Sequence, residues 1–413
     1  MTSPTRFSRR QFIGSTAAGA AGAWISDPLG RYTSAEMRAA AATDQLNGAS
    51  KWDLDTPALC VDLDKLEQNL ATMRTRLAET KIASRPHGKT HKCPAIAKLQ
   101  LASGSIGICT AKVSEAEVFA ASGIDRILMT TANHTPLKIR RAMQIRKKNP
   151  QFVQAVDHER TARDLSEAAK EARLTADVVI DVAVGTRTGV PPGEQALALA
   201  KLVDKLPNLK LRGVISYDGG AQHIKGFTKR RQEALNRYAP TTETVDLMNK
   251  AGLSTEIFSG GGTGTYNVMH EANGLTDVQV GSYVFMDVQY IEIGSPADDA
   301  VFGEFLPSLT VLTTVVNAYF PGSYTTDAGA KALTLNRPAP WVIGEKGFTY
   351  SAGSDEFGSI RYETASRAYK VGDTLELIVP HCDPVVNEYD QIYATRKDRV
   401  EAVWPVAARG HSQ

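Results

Sequence analysis

Between Pro57 and Tyr283 the sequence alternates short apolar runs with stretches of helical periodicity, and this alternation most narrows the folds open to the chain. Strand-like runs fall near residues 82–86, 106–110, 126–130, 152–156, 177–182, 211–216, 255–259 and 278–285. Helical patterns separate most of them, as at Ser114–Ala121, Glu159–Ala172, Glu194–Leu206 and Thr228–Ala251. Eight strands alternating with helices predict an α/β fold, a (β/α)8 TIM-like barrel. The rival is an open doubly wound sheet. It would carry G-x-G-x-x-G after its first strand, and no such motif follows here. A further strand, Ala58–Val61, precedes the eight. The helix after it is expected to be capped by Asp64, with Leu66, Leu70, Met73 and Leu77 on one face.

After about residue 300 the texture changes. Leu309–Ala318, Trp341–Ile343, Thr374–Val379 and Gln391–Ala394 are strand-like, punctuated by Gly and Pro. We therefore divide the chain into a signal and linker (1–45), a barrel (46–300) and a C-terminal all-β domain (301–413). The first segment carries Ser8-Arg9-Arg10-Gln11-Phe12-Ile13 and a mild Ala/Gly-rich run. This has the form of a twin-arginine export signal, a route that carries folded proteins, and it implies a periplasmic location. The run is too short for a stable membrane span. Small residues at Ala20–Ala23 and at Ala39–Ala42 both offer a cleavage point. A net charge of +2 argues against a nucleic-acid surface. The four cysteines show no metal-ribbon or disulfide spacing, and Cys60 and Cys109 read as core residues.

Barrels of this kind carry their chemistry at the C-terminal ends of the strands. There the sequence places Arg85-Pro86-His87-Gly88-Lys89-Thr90-His91-Lys92 after the first strand, Arg187 after the fifth, and Tyr217, Asp218, Gln222 and His223 after the sixth. Ser259-Gly260-Gly261-Gly262-Thr263-Gly264-Thr265 follows the seventh, and Gly281-Ser282-Tyr283 lies at the eighth. Glycines let backbone N–H groups converge on an anion, and a phosphate site after strands seven and eight is common in barrels. A phosphate loop facing a lysine on strand one points to pyridoxal phosphate held as a Schiff base. Lys89 is favoured, with Lys92 as its competitor, and the cations Arg85 and Lys92 are expected to depress its pKa. Near the C-terminus His381-Cys382-Asp383 closes an apolar run. In a strand His381 and Asp383 share a face and could hold a divalent metal, with Cys382 turned away. A turn there would make Cys382 a possible ligand.

Together these motifs, with Gly-Thr-Arg-Thr-Gly at 185–189, Asp327-Ala328-Gly329 and His381-Cys382-Asp383-Pro384, resemble the D-threonine aldolase/D-serine dehydratase family of alanine-racemase-like pyridoxal-phosphate enzymes. The resemblance spans residues 55 to about 405. It implies a homodimer whose Ala58 strand joins the β domain, and a small-molecule D-3-hydroxy amino acid as substrate. It assigns Lys89 to the cofactor aldehyde, and Arg187 and Tyr217 to the ring. It assigns Ser259, Gly261, Gly262, Thr263, Gly281 and Ser282 to the phosphate, and His381 and Asp383 to the metal. His87 and His91 stand as candidate bases beside Lys89. Dehydratases of the family look like His-x-Cys, suited to Zn²⁺; aldolases look like His-x-Asp, suited to Mn²⁺ or Mg²⁺. Asp383 favours a lyase that yields glycine and an aldehyde. The alternatives are a dehydratase releasing a 2-oxo acid and ammonia, and, remotely, a non-catalytic pyridoxal-phosphate carrier. Where relatives often carry Glu-His-Gly, this chain has Glu356-Phe357-Gly358.

Overall fold

The computed structural model describes residues 32–46 and 48–413; the twin-arginine motif lies outside them. The chain opens with helix α1 (Ser34–Ala42), then strand β1 (Ala58–Asp62) and helix α2 (Leu63–Thr80). The cap of α2 is Asp62, whose carboxylate accepts from the Lys65 N–H at 3.1 Å. The expected cap, Asp64, instead pairs with Arg396.

The barrel follows as β2 (Ala83–Ser84), α3 (Pro94–Ala102), β3 (Ile108–Thr110), α4 (Val113–Ala121), β4 (Ile127–Met129), α5 (Pro136–Lys148), β5 (Val153–Val156), α6 (Glu159–Glu171), β6 (Ala176–Asp181), α7 (Glu194–Lys205), β7 (Leu209–Ser216), α8 (Phe227–Lys250), β8 (Ile257–Gly260) and β9 (Asp277–Val278). These strands form an eight-stranded sheet in the order β2-β9-β8-β7-β6-β5-β4-β3, parallel throughout. A parallel bridge between His87 and Cys109 joins the two ends and closes it. Alternation along the strands divides the apolar residues into two sets. Leu128, Val153, Val179, Ile215 and Ile257 form one buried cluster in the lumen. Val178, Ile180 and Val214 belong to the larger core under the helices. The eighth strand is shorter than the sequence predicts. At Gly281 the chain turns into a 3-10 turn, Ser282–Val284, because the Tyr283 N–H goes to Thr263 Oγ1 (3.0 Å) rather than into the ladder.

A short helix α9 (Val288–Ile291) leads to the β domain: β10 (Leu309–Asn317), β11 (Ser323–Thr326), α10 (Ala330–Leu333), β12 (Trp341–Val342), β13 (Phe348–Ser351), β14 (Gly358–Tyr362), β15 (Thr374–Ile378), α11 (Cys382–Val386), β16 (Gln391–Arg396) and β17 (Arg399–Pro405). β1 belongs to this sheet. It runs antiparallel to β10 and parallel to β16. The linker expected before residue 45 is also part of the fold. Met37 and Ala40 of α1 are buried against the β-domain sheet, in one cluster with Leu54, Cys60, Leu312 and Tyr393. All four cysteines are buried and free. No described helix is long and apolar enough to cross a membrane.

Candidate active site

A cavity of about 310 Å³ opens at the C-terminal end of the barrel, beneath the segment joining β15 to α11. Lys89 enters it from the turn after β2, and a Cβ at neighbouring Gly88 would stand 2.8 Å from the Phe119 ring. The Lys89 amine lies 3.8 Å from Asp383 Oδ2 and 5.7 Å from the centre of the Tyr217 ring. Arg187 sits over the same ring at 5.3 Å. Burial works against the charge on Lys89, but Asp383 and Tyr217 outweigh it, so the amine's pKa is raised. This reverses the sequence expectation. Arg85 and Lys92 do not depress the amine because each has its own carboxylate: Asp277 at 3.1 Å and Glu115 at 3.2 Å. Lys92 is held in that buried pair, outside the cavity lining, and no longer competes with Lys89.

The histidines flanking Lys89 are engaged elsewhere. His87 Nδ1 accepts the Lys89 N–H (3.4 Å), so the ring proton belongs on Nε2, facing Thr130 Oγ1 at 3.3 Å. Burial and the Lys89 charge hold it neutral, well below the usual histidine range. His91 Nδ1 accepts the Cys93 N–H (3.1 Å), and Nε2 meets Gln100 Oε1 (3.2 Å). His91 is fully buried against Phe119 and does not line the cavity. Neither ring has a lone pair to offer a substrate, so the geometry removes both from the role of base.

The phosphate-type cradle is narrower than the resemblance implies. Gly262, Thr263, Gly281 and Ser282 line the cavity. A Cβ at Gly281 would stand 2.4 Å from Thr90 Oγ1, and one at Gly262 2.8 Å from Gln222 Oε1. The backbone N–H groups of Thr263 and Ser282 have no acceptor among the described residues. Close backbone approach with free donors is what a phosphate requires, and the residues fit the group. Ser259 and Gly261 lie beneath. Ser259 is buried, donating to Asp277 and accepting from Gln279 Nε2 (3.2 Å). Gly261 has φ +66° and gives its N–H to Tyr238 OH (2.7 Å). Both support the loop rather than face a ligand.

On the opposite wall the chain turns sharply. His381 precedes α11 instead of continuing β15, so His381 and Asp383 converge through a helical turn rather than along a strand face. Asp287, fully buried, accepts from His381 Nδ1 and from the Cys382 N–H, each at 2.9 Å. Protonated Nδ1 leaves Nε2 as the free donor atom, the usual outer-shell arrangement around a metal-ligating histidine. Burial opposes a charge on His381, and the Asp287 bond overrides it and raises its pKa. Burial would raise Asp383, but Lys89 and His381 hold its carboxyl below the usual range. Asp287, His381 and Cys382 are close enough together to form a metal-type group, and Asp383 adds a carboxylate on the cavity side. Cys382 is turned to Ser282 Oγ (3.3 Å), and burial and Asp287 keep its thiol protonated.

Asp287 escaped the sequence reading, because no motif surrounds it. His223 stood among the residues after the sixth strand but without a role, and its neighbour Gln222 is anchored on Asp218 O (3.1 Å) and Thr265 (3.0 Å). His223 lines the cavity, 6.4 Å from the His381 ring and 4.6 Å from the Tyr290 ring, centre to centre. Its Nδ1 is buried with no hydrogen-bond partner among the described residues, and burial lowers its pKa to about 4. Phe357 is exposed and away from this cavity.

Comparison with known proteins agrees with this geometry. Residues 61–289 match the family model for the alanine racemase N-terminal domain, and 308–395 that for a putative serine dehydratase domain. A 3-hydroxy-D-aspartate aldolase of Paracoccus denitrificans (strain Pd 1222) is 36% identical over 88% of this chain and 95% of its own. A D-threonine aldolase of Arthrobacter sp. is 35% identical over 87% and 94%. The crystal structure of D-threonine aldolase from Filomicrobium marinum superposes with a TM-score of 0.85 at 34% identity, covering 89% and 99%.

Proposed function

The chain belongs to the alanine-racemase-like family of D-threonine and 3-hydroxy-D-aspartate aldolases, and from that membership we propose a D-threonine-aldolase-type lyase that uses a divalent metal. One observation carries the reading: a lysine amine, a phosphate-type cradle and a His/Asp pair share one cavity, with Lys89 3.8 Å from Asp383.

Lys89 would join the cofactor aldehyde, and Gly262, Thr263, Gly281 and Ser282 would hold its phosphate. Tyr217 and Arg187 would flank the ring. Pyridoxal phosphate supplies an electron sink for the carbon–carbon bond that breaks. His381 Nε2 and Asp383 would hold the metal, whose chemistry is to acidify a bound hydroxyl. An imidazole and a carboxylate favour Mn²⁺ or Mg²⁺, with Zn²⁺ as the softer alternative. His223, neutral and lining the cavity, is the residue placed to accept the β-hydroxyl proton. As that proton leaves, the Cα–Cβ bond would open and the β-carbon would depart as an aldehyde. Cα would take up one proton, offsetting the one accepted from the hydroxyl, to give glycine.

The same reading places the enzyme in the periplasm, on the strength of the Arg9-Arg10 motif, and makes it a homodimer. Tyr319, Phe320 and Leu335 are exposed on the β domain, where a second copy would cover them.

The test is an assay of holoenzyme with D-threonine, L-threonine and D-serine, with and without EDTA. Acetaldehyde from D-threonine alone, abolished by EDTA and restored by Mn²⁺, is the expected result. Ammonia and a 2-oxo acid would replace the aldolase reading with the dehydratase. Activity indifferent to EDTA would remove the metal role of His381 and Asp383.

A further inference from the structure

Beside the active-site cavity lies a second one of about 590 Å³, lined by His134, Asp157, His158 and Thr161, and the two share Arg187 and Thr188. A carboxyl group stands on each side of that common wall. In the parallel pair of β5 and β6, Val156 lies opposite Ile180, so the next residues, Asp157 and Asp181, stand opposite one another. Val153, Ala155 and Val179 point into the lumen, and side chains alternate along a strand. The same alternation turns both aspartates inward at the barrel mouth. Asp181 then lines the active-site cavity and Asp157 the second one.

Among the described residues no lysine or arginine forms an ion pair with either group. Asp157 Oδ1 is buried without a hydrogen bond, and His134 Nε2 stands 3.5 Å from it. The other nitrogen of that ring meets Thr161 Oγ1 at 2.9 Å. The His134 side chain is 55% exposed, so it reaches the solvent from which Asp181, 6% exposed, is withdrawn. Burial and then Asp157 push the Asp181 carboxyl up, while Thr188 and Arg187 pull the other way. The remaining titratable groups on the active-site side are Lys112 after β3 and Tyr217 after β7, and on the second side His158 and Arg160 of the α6 start. Two adjacent carboxylates withdrawn from water hold a proton between them more readily than two charges.

We propose that Asp157 and Asp181 share one proton and relay it between the second cavity and the active site, with His134 as their contact to solvent. Running inward, His134 gives its Nε2 proton to Asp157, the pair passes a proton across, and Asp181 gives up its O–H proton to Cα. Each transfer breaks one N–H or O–H bond and forms one new bond to hydrogen, and solvent returns a proton to His134. Delivery to Cα rests on the lyase reading; the shared proton does not.

Two measurements on the cofactor-loaded enzyme test this. Infrared spectra across pH follow the carboxylic C=O stretch in the parent, Asp181→Asn and Asp157→Asn. The component that titrates at about pH 7 in the parent should be missing from Asp181→Asn. In Asp157→Asn it should titrate about one pH unit or more lower. An unmoved midpoint overturns the shared proton. Turnover is then measured for His134→Ala with and without added imidazole. The variant's kcat should fall roughly tenfold or more, with KM and the cofactor's visible band unchanged, and imidazole should restore it. An unchanged kcat, or a loss that imidazole does not repair, overturns the relay. A parent that forms a 2-oxo acid instead of an aldehyde overturns the aldolase reading and the delivery to Cα with it, and the infrared midpoint still decides the shared proton.

Discussion

The cavity has two histidine-bearing walls, and they differ in what their imidazoles are free to do. Beside Lys89, the Nδ1 atoms of His87 and His91 both accept backbone N–H groups and their Nε2 atoms face side-chain oxygens. Across the cavity, His381 has one nitrogen on Asp287 and the other free, and His223 has an unpaired Nδ1. Residue type and nearness to the lysine therefore do not separate the two pairs; the hydrogen bonds already made by their ring nitrogens do. The first wall holds the lysine's backbone in place, and the second leaves ring nitrogens without hydrogen bonds among the described residues.

The comparison can be broken in order of expected effect. Lys89→Ala should abolish both the cofactor's visible absorption band and activity. An unchanged band would move the attachment to another lysine. His223→Gln should lower kcat by about 10²–10⁴-fold while cofactor band and metal content persist. A loss under threefold would leave the second wall without its base. Asp181 lines the cavity between the walls, and burial, then Asp157, pushes its carboxyl up to about 7. Because the folded pKa exceeds the unfolded value, ionised Asp181 weakens the fold. That cost is absent below about pH 4, grows as pH rises, and levels off above about pH 7. Cofactor-free Asp181→Asn should therefore gain roughly 2–4 kcal/mol over the parent at pH 8 and almost nothing at pH 4, read by urea unfolding. A gain independent of pH would sink the assignment. His91→Leu should cost about 1–3 kcal/mol of stability through the stranded Gln100 and Cys93 groups, with kcat within threefold. A hundredfold loss of kcat would make the first wall catalytic after all.

Much of the fold could be read from the sequence because it rests on period. The eight barrel runs, the change of texture near residue 300 and the outlying β1 are properties of apolar spacing. Lys89 and the glycine loop were legible because strand order fixes where they stand around a barrel mouth. The tautomers of His87 and His91 were not, since they depend on which backbone N–H points at each ring. Ser259 and Gly261 were assigned to the phosphate through the resemblance, yet both lie beneath the cavity lining, bonded within the loop's own support. Asp287 was invisible because it acts through His381, and such a partner has no spacing of its own. His381 and Asp383 both line the cavity, but through a helical turn rather than along the strand face the sequence suggests, and the metal-type group there joins His381 to Asp287 and Cys382.

The position of β1 has a consequence in time. Val61 O accepts from Thr395, 334 positions further on, and β1 sits between β10 and β16. The first strand to be synthesised is thus an inner strand of a sheet whose other half arrives last. Until β16 emerges, β1 has an open edge, and the barrel is made while that edge waits. Final assembly of this sheet therefore follows the end of translation.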